Sequence, residues 1–155
     1  ARKAIGYDDL MRVFAADGVT VRPGDLVCFR TGFDEVIFEG KKNPTHDMMH
    51  GSCTGLDGSD KRLLQWITES KISALIADNY AVELFDGTLK SGECALLPLH
   101  HHTLFKTGVN LGEIWRLSEL ANWLRRNNRS TFLLTAPPLN PPRPVRPPAN
   151  AIATV

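Results

Sequence analysis

The chain has 155 residues, 43% apolar and 23% charged, with a formal net charge of +1. That size suits one domain with a real core, and the scattered Lys and Arg leave no basic footprint for nucleic acid. No apolar run approaches the roughly 20 residues of a membrane helix, no secretory signal is evident, and the three distant cysteines (Cys28, Cys53, Cys94), with no C-x-x-C, argue against a disulfide framework or thiolate zinc site and for a reducing, cytoplasmic setting.

Tyr7 to Ala16 reads as a short helix, capped by Asp8 or Asp9, with Leu10, Val13 and Phe14 on one face and Gly18 beyond its end. Arg22-Pro-Gly-Asp25 is a turn, and Leu26 to Arg30 a buried strand closed by Thr31-Gly32-Phe33. Residues 34–58 have no clear period and read as a long surface excursion. Ser59 to Ser70 is the clearest helix, with Ser59 as its cap and Leu63, Trp66 and Ile67 on one face. A buried strand follows from Ile72 to Ala77 and ends at Asp78, which suggests an α/β layer. Residues 86–97 form a connection, Leu99 to Thr107 a short helix stopped by Gly108, and Trp115 to Arg126 a partly helical segment. Trp66, Trp115 and Trp123 are expected in the core. Thr131 to Thr135 is a strand, and residues 149–155 form a last one. Between them residues 137–148 hold seven prolines. Proline cannot donate to a ladder, so this is an extended crossover, or else a ligand for a proline-recognition domain.

The densest chemical signal is Leu97-Pro-Leu-His-His-His-Thr-Leu-Phe105, followed by Gly108 and Glu113. Successive helical residues turn by about 100 degrees, so three adjacent histidines point in different directions. Neutral imidazole is a common metal ligand, and a carboxylate is a good companion for zinc or manganese. His101 and Glu113 are twelve residues apart, enough for a helix, a glycine turn and a return to one cavity. Two ligands are an incomplete set for catalytic zinc. A second cluster, Thr45-His-Asp-Met-Met-His50, puts His46 and His50 at i, i+4, a ligand spacing only if the segment is helical. Asp78 ends a buried strand, where α/β enzymes place functional groups, or serves as a strand-end cap for the next segment. Cys94, next to Glu93, has no cationic neighbour in sequence to make it a nucleophile. There is no glycine-rich phosphate loop and no G-x-S-x-G elbow.

Several segments, in order, resemble the cyclase family, which includes bacterial kynurenine formamidase and isatin hydrolase. Val21-Arg-Pro-Gly-Asp-Leu-Val-Cys-Phe-Arg-Thr-Gly-Phe33 resembles its P-G-D strand ending in R-T-G-W, and Thr54-Gly-Leu56 with the helix after it resembles P-G-L and its helix. Ile72 to Asp78 resembles the strand ending in G-I-D, and His101 to Glu113 resembles the stretch from a His to I-x-E-n-L. Leu117 and Leu120, Phe132 to Leu139 and the last strand match later pieces.

The resemblance implies an α/β fold with a mixed β-sheet flanked by helices, the swivelling β/β/α arrangement. It implies a zinc or manganese enzyme of arylformamidase type, which hydrolyses a small amide or cyclic amide, with tryptophan catabolism to kynurenine as the setting by analogy. It makes His101 and Glu113 metal ligands, with His100 and His102 as neighbours in the same run. The family's H-x-G-T-H-x-D-x-P-x-H, which supplies most ligands and the catalytic histidine, lies before the P-G-D strand and is absent from these residues. The chain then reads as the C-terminal part of a longer hydrolase, or as a non-catalytic binding or assembly domain of the same fold. Either way, uncovered sheet edges imply a further segment or a homo-oligomer beside it.

Overall fold

The computed structural model describes residues 3–40, 43–85, 95–139 and 148–155, and at His50 the backbone only. Cys94, most of the 86–97 connection and residues 140–147 of the proline stretch lie outside the described residues. The chain forms two compact units, Ala1–Ser118 and Glu119–Val155.

The first unit is built on a parallel sheet of β2 (Leu26–Phe29), β4 (Ala74–Ala77) and β5 (Asn110–Gly112), with β4 in the middle. All four residues of β4 are buried. That is the run of small and branched apolar residues a central parallel strand needs, because both of its faces are covered. The register pairs Leu75 with Val27 on one side and with Leu111 on the other. A second parallel pair joins β1 (Ala4–Ile5) to β3 (Gly55–Leu56). Helices α1 (Tyr7–Ala16) and α4 (Lys61–Ser70) supply Leu10, Leu63 and Ile67 to the core, which also holds Leu56, Ile72, Leu75, Val82, Leu99 and Val109. Phe14 of α1 meets Trp66 of α4 with ring centroids 5.7 Å apart.

The helix ends differ from expectation. Asp60, not Ser59, caps α4: its carboxylate accepts from the Arg62 and Leu63 nitrogens at 2.9 and 3.3 Å, and its second oxygen takes the Tyr7 nitrogen at 2.7 Å. One carboxylate thus ties the starts of α1 and α4 together. Asp8 and Asp9 lie inside the first turn of α1, whose cap position is Gly6. There they favour the positive end of the helix dipole without capping it.

Residues 34–58, expected to be irregular, contain α2 (Phe33–Glu39), α3 (His46–Ser52) and β3. Each helix is only seven residues long, too short for a period to show against the glycines and prolines around it. The apolar stretch after Leu97 is also unusual. Three α-helical residues, Pro98–His100 (α5), run into a π-helical turn, His101–Thr107, which Gly108 ends in the left-handed conformation. Single π turns are rare and occur mostly at functional sites.

The second unit holds the rest of α6 (Ser118–Arg126) and the antiparallel pair β6 (Leu133–Thr135) and β7 (Ile152–Thr154). The guanidinium of Arg129 lies over the Trp123 ring. None of the three tryptophans is fully buried; each is half-buried at the edge of its packing. The described residues show a mixed α/β fold of parallel and antiparallel pairings flanked by helices, as expected. Among them no helix is long and apolar enough to cross a membrane.

Candidate metal centre

The chemistry-bearing side chains gather beyond the C-terminal ends of β4 and β5, the edge at which open α/β sheets bind ligands. Asp78 follows β4 and is fully buried. One of its carboxylate oxygens accepts from the Thr31 nitrogen and hydroxyl at 2.7 and 2.6 Å, and the other from the Gly32 and Phe33 nitrogens at 2.7 and 3.1 Å. It therefore holds the Thr31-Gly32-Phe33 turn against the end of β4. All these acceptor sites are spent on backbone and hydroxyl, so Asp78 is a structural anchor.

Next, Asn79 organises the turn after β4. Its amide donates to the Thr54 and Val82 carbonyls at 2.8 and 3.3 Å, and its carbonyl accepts from the Val82 nitrogen at 2.7 Å. Val82 takes φ of 56°, a strained value for a β-branched residue, and this turns Glu83 inward. Glu83 is only 1% exposed. A buried carboxylate must be paired, and this one accepts three bonds. Its Oε2 takes the Leu99 nitrogen at 3.0 Å, while its Oε1 takes the His100 nitrogen at 2.8 Å and sits 2.7 Å from His100 Nδ1.

The other ring nitrogen of His100, Nε2, is 3.0 Å from Oε1 of Glu113. Glu113 stands directly after β5, where the bond from the Ile114 nitrogen to the Asn79 carbonyl at 2.8 Å continues the pairing with the β4 end. Glu83, His100 and Glu113 thus form a carboxylate–imidazole–carboxylate chain, running from the buried interior to a half-buried surface. Desolvation disfavours the charged imidazole, but the bonds from Glu113 and Glu83 outweigh it and push the pKa of His100 up to about 9.

The structure brings Glu113 together with His100 rather than with His101, the neighbour singled out by the sequence. His101 stacks on Phe105, with centroids 5.4 Å apart and planes 13° from parallel. His102 points a third way, with its Nε2 2.8 Å from the Thr68 hydroxyl. Burial and the nearby Lys106 lower its pKa. His46 lies on α3, so the i, i+4 spacing with His50 is helical, but His46 is exposed and the His50 side chain is outside the described residues. Cys28 lies on β2, where desolvation pushes its thiol up to about 12, and Cys53 is buried. Neither has the character of a nucleophile. Glu83 had no motif to mark it. Its signal in the sequence is one acidic residue among apolar ones, five after Asp78 at the end of the buried strand.

Two donors fit a divalent ion in chemistry and spacing. Ligand atoms about 2.1 Å from a shared ion at tetrahedral or square angles lie roughly 3.0–3.4 Å apart. The His100 Nε2 to Glu113 Oε1 separation is 3.0 Å. Among the described residues no group of three or more His, Cys, Asp or Glu side chains could hold a metal. These two would therefore be part of a ligand set.

A family model described as Cyclase matches residues 1–84. A crystal structure described as a novel cyclase is 32% identical, covers 98% of this chain and superposes with a TM-score of 0.76. The chain belongs to the cyclase family. A further solved structure, described as a potential metal-dependent hydrolase with cyclase activity, covers 99% of the chain with a TM-score of 0.59. At 18% identity it shows the shared fold alone. The cyclase chain spans 47% of the first of these structures and 59% of the second. Among curated proteins there is no match.

Proposed function

We propose that this cyclase chain supplies His100 and Glu113 to a divalent-metal site in a hydrolase that cleaves a C–N bond of a small amide or cyclic amide, of arylformamidase type. The observation that carries the reading is the convergence of one imidazole nitrogen and one carboxylate oxygen at the C-terminal edge of the sheet, in a member of this family. Zinc or manganese bound there would supply a Lewis acid and lower the pKa of a coordinated water toward neutrality.

The chain's own residues do the rest. His100 offers Nε2 once its proton is displaced. Glu113 contributes a carboxylate from the end of β5, half-exposed and so reachable by solvent and substrate. The half-buried His101 and the exposed Phe105 present a stacked pair one helical step away, which suits an aryl group. Further ligands would come from residues outside this chain's described set, either from a longer parent protein or from a second subunit.

The test is metal content and turnover of an N-formyl aryl amine by the full-length protein and three variants. His100→Ala and Glu113→Ala should each lose metal and hydrolysis, while His101→Ala keeps its metal. Loss of metal in His101→Ala with retention in His100→Ala would return the ligand role to His101. Full metal and activity in both His100→Ala and Glu113→Ala would refute the reading.

A further inference from the structure

We propose that Glu83 is the positioning residue of this site: its buried carboxylate fixes the ring of His100 and keeps the Nδ1 proton in place, so that Nε2 alone faces Glu113. The inference rests on the metal-site reading above and adds to it a residue that neither touches the ion nor the substrate.

The geometry argues for more than helix capping. The Leu99 and His100 nitrogens begin a helical segment and need acceptors, but a local Ser, Thr or Asp would serve, without burying a charge. Here a carboxylate sixteen residues away in sequence, 1% exposed, is brought in for the purpose. Three separate features make room for it. Asn79 bonds both the carbonyl and the nitrogen of Val82, the residue before Glu83. Val82 holds a left-handed conformation. Gly58 leaves the space that the carboxylate fills: a Cβ there would fall on Glu83 Oε2 and 3.1 Å from Cδ. The shortest of the Glu83 bonds is the one to the imidazole, 2.7 Å at Nδ1.

An imidazole has two nitrogens and one neutral proton to place. Carboxylates accept only, so both nitrogens carry protons while they face Glu83 and Glu113; when an ion displaces the Nε2 proton, the one proton left sits on Nδ1 against Glu83, and Nε2 offers its lone pair. Ligating histidines are ordinarily oriented this way, and losing the outer partner weakens metal binding about 10–100-fold.

The experiment uses the full-length protein and zinc, with affinity measured by chelator competition. Glu83→Gln keeps the side chain's size but not its acceptor-only character. It should bind zinc about 10–100-fold more weakly while staying folded. His100→Ala run alongside separates the two claims. If His100→Ala binds zinc like the wild type, both the site and the inference fall. If His100→Ala loses zinc but Glu83→Gln stays within about twofold, the inference alone falls, because a merely structural cap would lower thermal stability and leave affinity intact. Should Glu83→Gln not fold, the wild type answers directly. In cadmium-loaded protein with isotope-labelled histidine, NMR should show metal coupling at Nε2 of His100 and a retained proton on Nδ1. Coupling at Nδ1, or no proton there, overturns the proposal.

Discussion

Gly58 is the position at which one methyl group should do most damage. Its backbone conformation is open to alanine, so the obstacle is space alone. The added Cβ would overlap the Glu83 carboxylate and stand 3.0 Å from the Leu99 nitrogen. Glu83 is 1% exposed. To move, it must loosen the bonds to the Leu99 and His100 nitrogens and to the His100 ring. Hydrogen bonds to a charged group are worth about 1.5–3 kcal/mol each, and overpacking costs about 1–3 kcal/mol. These overlap, and alanine returns about 0.4–1 kcal/mol by restricting the unfolded chain. A net loss of about 3 kcal/mol follows, or roughly 6–12 °C in Tm for a chain of this size. Thermal unfolding followed by circular dichroism measures it. In a Glu83→Ala background the obstacle is gone, so Gly58→Ala should cost at least about 1 kcal/mol less there, a coupling that a double-mutant cycle reads. A Tm for Gly58→Ala within about 1 °C of wild type, or an equal cost in both backgrounds, would refute the reasoning.

Further outcomes are expected. Asp78→Asn replaces one oxygen by an amide that donates, and sets it against either the Thr31 or the Gly32 and Phe33 donors; a loss of about 2–4 kcal/mol should appear in chemical denaturation. Asp60 and Asp34 both have pKa values lowered below 3.8 in the fold, Asp60 chiefly by the Tyr7 N–H and Asp34 by the Ser118 bonds, which overcome its desolvation. Their stabilisation is therefore complete above the unfolded value and is lost as pH falls through the folded one, so melting temperature should drop below about pH 4, and Asp60→Asn should flatten that slope. On the same apolar helical stretch, Leu99→Ala should cost about 2–5 kcal/mol because Leu99 is fully buried. Phe105→Ala, at 80% exposed, should change stability by less than about 0.5 kcal/mol.

Long periodic or uniformly apolar segments were legible. The α4 face, Leu10 and Phe14 of the α1 face, the buried β4 run, the glycine stop at Gly108 and the last two strands all appear within a few residues of where the pattern puts them, whereas Val13, expected on the α1 face, is 46% exposed. The two seven-residue helices were not, because two turns give too few positions for a period, and tertiary contacts hold them instead. One example is Asp34 on α2, buried and bonded to the Ser118 nitrogen and hydroxyl at 2.9 and 2.6 Å.

The site divides in the same way. The sequence by itself determined the family, the sheet-and-helix class, and that a carboxylate at position 113 answers to one of three adjacent histidines, because those depend on residue types in order. Which histidine turns inward depends on a rotation of about 100 degrees per residue, and on how a π turn offsets the helix after His100. No local pattern encodes that. It was decided by Glu83, a residue distant in sequence whose buried charge finds its partners only when the turn after β4, the glycine at 58 and the start of the helix are packed together.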